Sequence, residues 1–142
     1  TASIDGSTST AAGAACVGEE MTVLITGDMS FSYDVNGLSS TYLSPRFKII
    51  VMCNGGGGIF RFIKPTSDLP ELETCFEIHR DISVEKYADL FGLRYFELND
   101  EKSAAEVLSL FFAEKDRPAI LAVHTPNVYN AEVLRGYFRR SR

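Results

Sequence analysis

The chain has 142 residues, enough for one domain with a substantial core, and its 45% hydrophobic and 23% charged content is ordinary for a globular protein. Its formal net charge of -5 argues against a nucleic-acid partner, because nucleic-acid-binding domains usually carry a basic patch. No apolar run approaches the roughly 20 residues that a membrane span needs, and the first residues do not resemble a signal peptide. The three cysteines lack a CxxC pair, which predicts reduced thiols in a cytoplasmic protein.

Helical and strand-like segments alternate along the chain. Helices are predicted over residues 7–18, 30–42, 83–91, 100–114 and 130–140, the third with Ser83 as N-cap and Gly92 as C-cap. Strands are predicted over the apolar runs at residues 21–26, 47–53, 94–98 and 118–123. This alternation predicts an α/β fold, a three-layer parallel sheet with helices on both faces.

Two loops, at residues 27–30 and 53–58, each follow a predicted strand and precede a helical or irregular segment. In a parallel sheet such loops meet at the carboxyl edge, where ligands bind. Asp28 can supply a carboxylate oxygen, Asn54 an amide oxygen and Gly56 a backbone carbonyl, which is the kind of donor set that Mg²⁺ prefers. The two loops together therefore predict a hard cation that anchors a phosphorylated cofactor.

The same residues also permit a structural interpretation. Asp28 or Ser30 could do no more than cap the following helix, and Asn54 with the glycines after it could form an ordinary turn. In the functional interpretation, a diphosphate would rest on the free N–H groups near Met29, and glycines 55–58 would let the backbone approach it closely.

Three blocks of the first half resemble a known family. Residues 4–13, IDGSTSTAAG, are similar to a GIDGxxSTAAG segment, and residues 27–38, GDMSFSYDVNGL, to GDLSxxxDLNxL. Residues 56–60, GGGIF, are similar to an NNxGGxIF segment, and residues 27–30 followed by residues 54–56 are similar to the thiamine-diphosphate motif GDx…NN. The three blocks also occur in the same order as in that family. The chain therefore resembles the MenD family of thiamine-diphosphate enzymes, the 2-succinyl-5-enolpyruvyl-6-hydroxy-3-cyclohexene-1-carboxylate synthases of menaquinone biosynthesis.

The resemblance implies the carboxy-terminal, pyrophosphate-binding domain of such an enzyme across residues 1–142, lacking the first strand of that fold. It implies thiamine diphosphate and Mg²⁺ or Mn²⁺ as cofactors, with Asp28, Asn54 and the Gly56 carbonyl as metal ligands. The implied cofactor contacts are Ile4, as an apolar wedge, with Gly27, Asp28, Met29, Ser30, Asn54, Gly56, Gly57 and Ile59. The implied substrates are 2-oxoglutarate, which is decarboxylated, and isochorismate, which receives the succinyl unit; Ile59, Phe60 and Ile63 would wall their pocket.

The resemblance also implies a partner. In the family, the glutamate that activates the cofactor belongs to a pyrimidine-binding domain of a second subunit, so a homodimer or homotetramer is expected. No catalytic residue is then expected in this chain, which alone should be inactive. Either exposed apolar surface or disorder is expected around residues 59–63. Cys53 stands where the family has asparagine and is expected to pack, since thiols suit Mg²⁺ poorly. Ser3 stands where the family commonly has glycine.

Two alternatives stay open. One is a domain of another thiamine-diphosphate enzyme, such as an acetolactate-synthase-like enzyme or a 2-oxoacid decarboxylase. The other is a non-catalytic Rossmann-like module, in which Asp28 and Asn54 are only a cap and a turn.

Overall fold

The computed structural model describes residues 4–77, 79–80 and 82–140. The strands of that part are β1 (Thr22–Gly27), β2 (Phe47–Cys53), β3 (Arg94–Leu98) and β4 (Ala119–His124). Its α-helices are α1 (Ser7–Val17), α2 (Asp28–Tyr33), α3 (Val84–Phe91), α4 (Ala104–Ala113) and α5 (Asn127–Arg140). Short 3-10 segments lie at Val35–Ser39, Gly58–Arg61, Thr66–Asp68 and Glu101–Ser103, and Leu72–Phe76 forms a π-helical turn.

The four strands form one sheet in the order β1-β2-β4-β3, and every neighbouring pair is parallel. This confirms the predicted α/β fold with a parallel sheet. Because all strands run the same way, the segments that follow them emerge at one edge. Since β2 lies between β1 and β4, the segment after β2 is flanked by the segments after its two neighbours.

Side chains of the central strand β2 alternate between the two faces of the sheet. Phe47, Ile49 and Val51 are fully buried in a cluster with residues of α1 and α3. Ile50 belongs to a second cluster, built around Phe111 of α4. Helices therefore cover both faces, which is the predicted three-layer arrangement, and a strand buried on both sides explains the continuous apolar run.

The predicted helix over residues 30–42 is wrong in its extent. Helix α2 ends at Tyr33, because the Asp34 carboxylate accepts hydrogen bonds from the Ser9 backbone N–H at 2.7 Å and the Ser9 hydroxyl at 2.5 Å. Gly37 packs so closely on α1 that an added Cβ would lie 2.7 Å from the Ser9 Cα. Contact with α1 therefore breaks the helix into α2 and a 3-10 segment.

The other helices agree with the prediction more closely. The Ser83 hydroxyl accepts the Lys86 N–H at 3.3 Å, and Gly92 ends α3 with φ of 70°, as predicted. Helix α5 begins at Asn127, three residues before the predicted start. Within the described ranges, no helix is long and apolar enough to cross a membrane. The cysteines are free thiols, as predicted.

One buried charge lies away from the carboxyl edge of the sheet. Lys48 of β2 is 1% exposed, and its ammonium group donates hydrogen bonds to the carbonyls of Pro45 at 3.0 Å and Glu114 at 2.7 Å. Burial lowers the pKa of this ammonium, while the nearby Glu114 carboxylate raises it to a smaller extent. The two carbonyls thus compensate the lysine where the rest of β2 is apolar.

Candidate functional site

Asp28 joins the loop after β1 to the glycine loop, the name used here for residues 54–58. It is 4% exposed, and its Oδ2 accepts hydrogen bonds from the backbone N–H groups of Asn54, Gly55 and Gly56 at 3.0, 2.8 and 3.1 Å. The φ angles of Gly55 and Gly56, 83° and 92°, let successive N–H groups converge on one oxygen. The structure therefore brings the two predicted loops into direct contact.

The helix-cap interpretation of Asp28 does not match this geometry. Gly27 is the N-cap of α2, and the cap makes no side-chain hydrogen bond. Within α2, Asp28 Oδ1 accepts only the N–H of the next residue, Met29, at 2.7 Å. Three of the four hydrogen bonds that Asp28 accepts therefore come from the glycine loop, across the sheet edge.

The three oxygens predicted to bind a metal lie in one hydrogen-bonded unit. Asn54 Oδ1 accepts the Gly56 N–H at 3.1 Å, and the Gly56 carbonyl accepts the Asn127 side-chain amide at 3.2 Å. Asp28 Oδ1, Asn54 Oδ1 and the Gly56 carbonyl thus each accept one hydrogen bond and keep a second lone pair. Among the described residues, no group of three His, Cys, Asp or Glu side chains could hold a metal. A metal here would need the amide and backbone oxygens as well.

Cys53 packs against the core and takes no part in that unit, as expected for this position. Its thiol donates to the Val51 carbonyl at 3.6 Å. Burial, and then the nearby Asp28 and Glu97 carboxylates, raise the pKa of the Cys53 thiol to about 11. A protonated thiol is a poor nucleophile and a poor ligand for a hard cation.

A cavity of about 610 Å³ opens beside Asp28 and the glycine loop. It is lined by every predicted cofactor and substrate residue except Gly56, namely Ile4, Gly27, Asp28, Met29, Ser30, Asn54, Gly57, Ile59, Phe60 and Ile63, together with Tyr33, Gly58 and Phe76. Ile59 and Ile63 are each 47% exposed, so apolar surface is open to solvent where it was expected. Ser3 lies outside the described residues.

Asp28 also borders a second cavity of about 610 Å³, which shares no other lining residue with the first. Its walls come from the segments after β2, β3 and β4, including Asn99 and Thr125, and from Arg80 and Ser83. None of these four residues was predicted to have a function. Asp28 therefore lies where two cavities meet at the carboxyl edge of the sheet.

Sequence analysis missed a buried polar network on the other side of the glycine loop. The Asn127 amide Nδ2 donates to the Gly56 carbonyl and, at 2.9 Å, to Glu77 Oε1. Glu77 is 1% exposed, and each of its carboxylate oxygens lies 2.5 Å from a guanidinium nitrogen of Arg61. Hydrogen bonds from Arg61 to Glu73, at 2.8 Å, and to Glu77 raise the pKa of the guanidinium. The loop is thus held from both flanks.

One signal in the sequence could have pointed to Asn127. It follows the predicted strand over residues 118–123 closely, as Asp28 and Asn54 follow theirs. Glu77 and Arg61 gave no such signal, since both lie in an irregular segment with no periodicity.

Comparison with known proteins places the chain in a family. No family model matches it. It is 48% identical over 135 residues to the 2-succinyl-5-enolpyruvyl-6-hydroxy-3-cyclohexene-1-carboxylate synthase of Porphyromonas gingivalis, covering 95% of this chain and 23% of that protein. The synthases of Flavobacterium johnsoniae and Christiangramia forsetii are 42% and 39% identical, with 98% and 97% of this chain matched to 25% and 24% of theirs. The chain spans about a quarter of these relatives and belongs to the family of 2-succinyl-5-enolpyruvyl-6-hydroxy-3-cyclohexene-1-carboxylate synthases.

Proposed function

We propose that this chain holds the metal ion and the diphosphate of thiamine diphosphate within a longer synthase. The reaction proposed for the whole protein decarboxylates 2-oxoglutarate and adds the succinyl unit to isochorismate. The relatives, at 39–48% identity, are named as synthases of the corresponding product. The observation that carries the proposal is that Asp28 accepts hydrogen bonds from three N–H groups of the glycine loop, beside a cavity of about 610 Å³.

The proposed metal ligands are Asp28, Asn54 and the Gly56 carbonyl, for Mg²⁺ or Mn²⁺. These oxygens fit such an ion because each retains a lone pair and because Asp28 supplies a negative charge. Asp28 forms no ion pair with any described residue, so that its charge is compensated only by backbone N–H groups. A cation bound there would complete the compensation.

The cavity walls fit the remainder of the cofactor. Ser30 is proposed to bind the diphosphate through its hydroxyl and its backbone N–H, whereas the N–H of Met29 itself donates to Asp28 Oδ1. The dipole of α2 contributes less than the sequence predicted, because this helix has only six residues. Ile4 and Ile59 offer apolar contacts for the thiamine rings. When bound, thiamine diphosphate supplies the carbon nucleophile that 2-oxoacid decarboxylation requires.

The exposed apolar wall of the cavity supports a partner. Ile59 and Ile63 each leave 47% of their surface open, although large apolar side chains at a ligand site are ordinarily covered. We propose that the pyrimidine-binding domain of a second subunit, with the activating glutamate, closes this side in a homodimer or homotetramer. Phe60 and Ile63 would then face the substrates.

Calorimetric titration with thiamine diphosphate, with and without Mg²⁺, tests the assignment on the full-length protein that carries this chain. Asp28→Asn removes the charge with almost no change in size, so metal-dependent cofactor binding should weaken by at least about 10-fold. Asp34→Asn is the matched control, since Asp34 also accepts a backbone N–H but lies outside the cavity. Its cofactor affinity should remain that of the wild type.

Three results would contradict the proposal in whole or in part. If Asp28→Asn keeps the wild-type dependence on Mg²⁺, the metal site is misassigned. If the wild-type protein itself shows no metal-dependent binding of thiamine diphosphate, the non-catalytic Rossmann-like module is the better interpretation. Metal-dependent binding without turnover of isochorismate would favour another thiamine-diphosphate decarboxylase.

A further inference from the structure

Asn127 approaches the glycine loop from the flank opposite Asp28. The strand order places the end of β4, and hence the start of α5, beside the end of β2. The side chain is 8% exposed, and its Nδ2 donates to the Gly56 carbonyl at 3.2 Å and to Glu77 Oε1 at 2.9 Å. Asn127 is therefore a buried contact of one proposed metal ligand.

The neighbours of this amide determine its orientation. The Gly56 carbonyl and the Glu77 carboxylate are both acceptors, so the NH₂ group, and not the oxygen, must face them. The Asn127 oxygen points elsewhere, is buried, and has no hydrogen-bond partner among the described residues. A Cβ added to Gly58 would lie 2.6 Å from this oxygen and 2.6 Å from Asn54 Nδ2. The amides of Asn127 and Asn54 thus flank the same glycine.

Glu77 and Arg61 hold the Asn127 amide in place. Glu77 is fully buried, and its charge is balanced by Arg61, whose nitrogens lie 2.5 Å from both carboxylate oxygens. Arg135, about two helix turns further along α5 than Asn127, donates to the Arg61 carbonyl. The start of α5 is therefore attached to Gly56 and Glu77, and its middle to the 3-10 segment that follows the glycine loop.

We propose that Asn127, supported by Glu77 and Arg61, is a positioning residue that aims the Gly56 carbonyl at the metal. A carbonyl oxygen has two lone pairs, and the amide of Asn127 occupies one of them. The other is thereby directed away from Asn127 and left for a cation. Such partners of metal ligands orient the ligand and increase its affinity for the ion. The inference rests on the function proposed above, but concerns residues that the sequence motifs do not include.

The test compares two isosteric changes on α5 of the full-length protein. Asn127→Asp removes the donor to the Gly56 carbonyl and places a carboxylate beside Glu77. Asn130→Asp is the matched control: Asn130 donates to the Thr125 hydroxyl at 2.8 Å, and this hydroxyl can instead donate to the new carboxylate. Mn²⁺ binding in the presence of thiamine diphosphate is measured by the loss of the free-ion paramagnetic resonance signal. Asn127→Asp should weaken Mn²⁺ binding by about 10- to 100-fold, and Asn130→Asp should leave it unchanged.

A second variant separates positioning from folding. Asn127→Ala removes the donor to the Gly56 carbonyl without placing a carboxylate beside Glu77, so its thermal midpoint should fall less than that of Asn127→Asp. Mn²⁺ affinity should nevertheless fall by a similar factor in both variants, because nothing then donates to the Gly56 carbonyl. If either variant binds Mn²⁺ like the wild type, or if the loss of affinity follows the loss of stability across the two variants, the inference is wrong. Failure of the wild type to bind Mn²⁺ with thiamine diphosphate would instead refute the proposed function.

Discussion

Two buried carboxylates hold the glycine loop, and they do so in opposite ways. Asp28 accepts N–H groups of the loop directly, whereas Glu77 acts through Asn127 on the Gly56 carbonyl. Both backbone polar groups of Gly56 are therefore bound, one from each flank. The loop has four glycines in a row, and these contacts offset the conformational freedom that glycine brings.

The compensation of charge is what separates the two carboxylates. Glu77 is paired with Arg61, and a buried pair of this kind is costly to break but offers no charge to a ligand. Asp28 accepts backbone N–H groups, forms no ion pair with the residues that the structure describes, and borders two cavities. The difference supports the proposed roles, in which Glu77 maintains the shape of the loop and the charge of Asp28 remains available to a cation.

The largest expected effect is the loss of stability when the buried carboxylate of Glu77 is removed. Glu77→Ala leaves Arg61 and Asn127 without their buried partner, which should lower the free energy of unfolding by about 3–5 kcal/mol. Glu73→Ala is the control, because Glu73 also pairs with Arg61 but is exposed; its loss of stability should be much smaller. Urea denaturation of the purified protein measures both. Equal losses for the two variants would show that burial of Glu77 does not matter.

A smaller effect tests how closely the glycine loop approaches Glu77. Gly57 and Gly92 both have positive φ, 61° and 70°, so an alanine is strained at either position. At Gly57 the added Cβ would lie 2.6 Å from the Glu77 Cα, whereas at Gly92 it would meet nothing within 4 Å. Gly57→Ala should therefore destabilise by about 1–3 kcal/mol more than Gly92→Ala, measured by the same denaturation. Similar values for both would mean that the loop can move away from Glu77 freely.

The smallest effect concerns a buried charge that has no part in the site. Lys48→Met deprives two carbonyls of a donor and should cost about 1 kcal/mol at neutral pH. Because burial lowers the pKa of Lys48 below its ordinary 10.5, the folded protein releases this proton at a lower pH than the unfolded chain. The unfolded state then binds more protons just below pH 10.5, so the contribution of Lys48 to stability rises with pH in that window.

Urea denaturation between about pH 8 and 10.5 tests whether the contribution of Lys48 to stability rises or falls with pH. The difference in unfolding free energy between wild type and Lys48→Met should widen as pH rises. Lys64→Met serves as the control, because the Lys64 side chain is 80% exposed. Its ammonium forms only a surface ion pair, with Nζ 3.6 Å from Asp68 Oδ2, so the difference should change little with pH. A difference that narrows with pH for Lys48→Met would show that the ammonium stabilises the folded state by its charge.

Local sequence patterns were sufficient to predict the sheet and the edge at which the site lies. The apolar run of β2 and the position of Asp28 after β1 predicted a parallel sheet and a ligand-binding edge, because periodicity and loop chemistry act over a few residues. The same reasoning failed at Asp34, where a helical pattern continues in the sequence. There a hydrogen bond to Ser9, 25 residues away, ended the helix.

The sequence by itself determined the fold class, the pairing of Asp28 with the glycine loop and the apolar wall near Ile59. Only the tertiary structure decided what holds the loop from its other flank. Asn127 reaches Gly56 across 71 residues and Glu77 across 50, and neither contact leaves a local pattern. The physical reason is that a buried polar group needs a partner but not a partner nearby in the chain, so only the folded packing selects it.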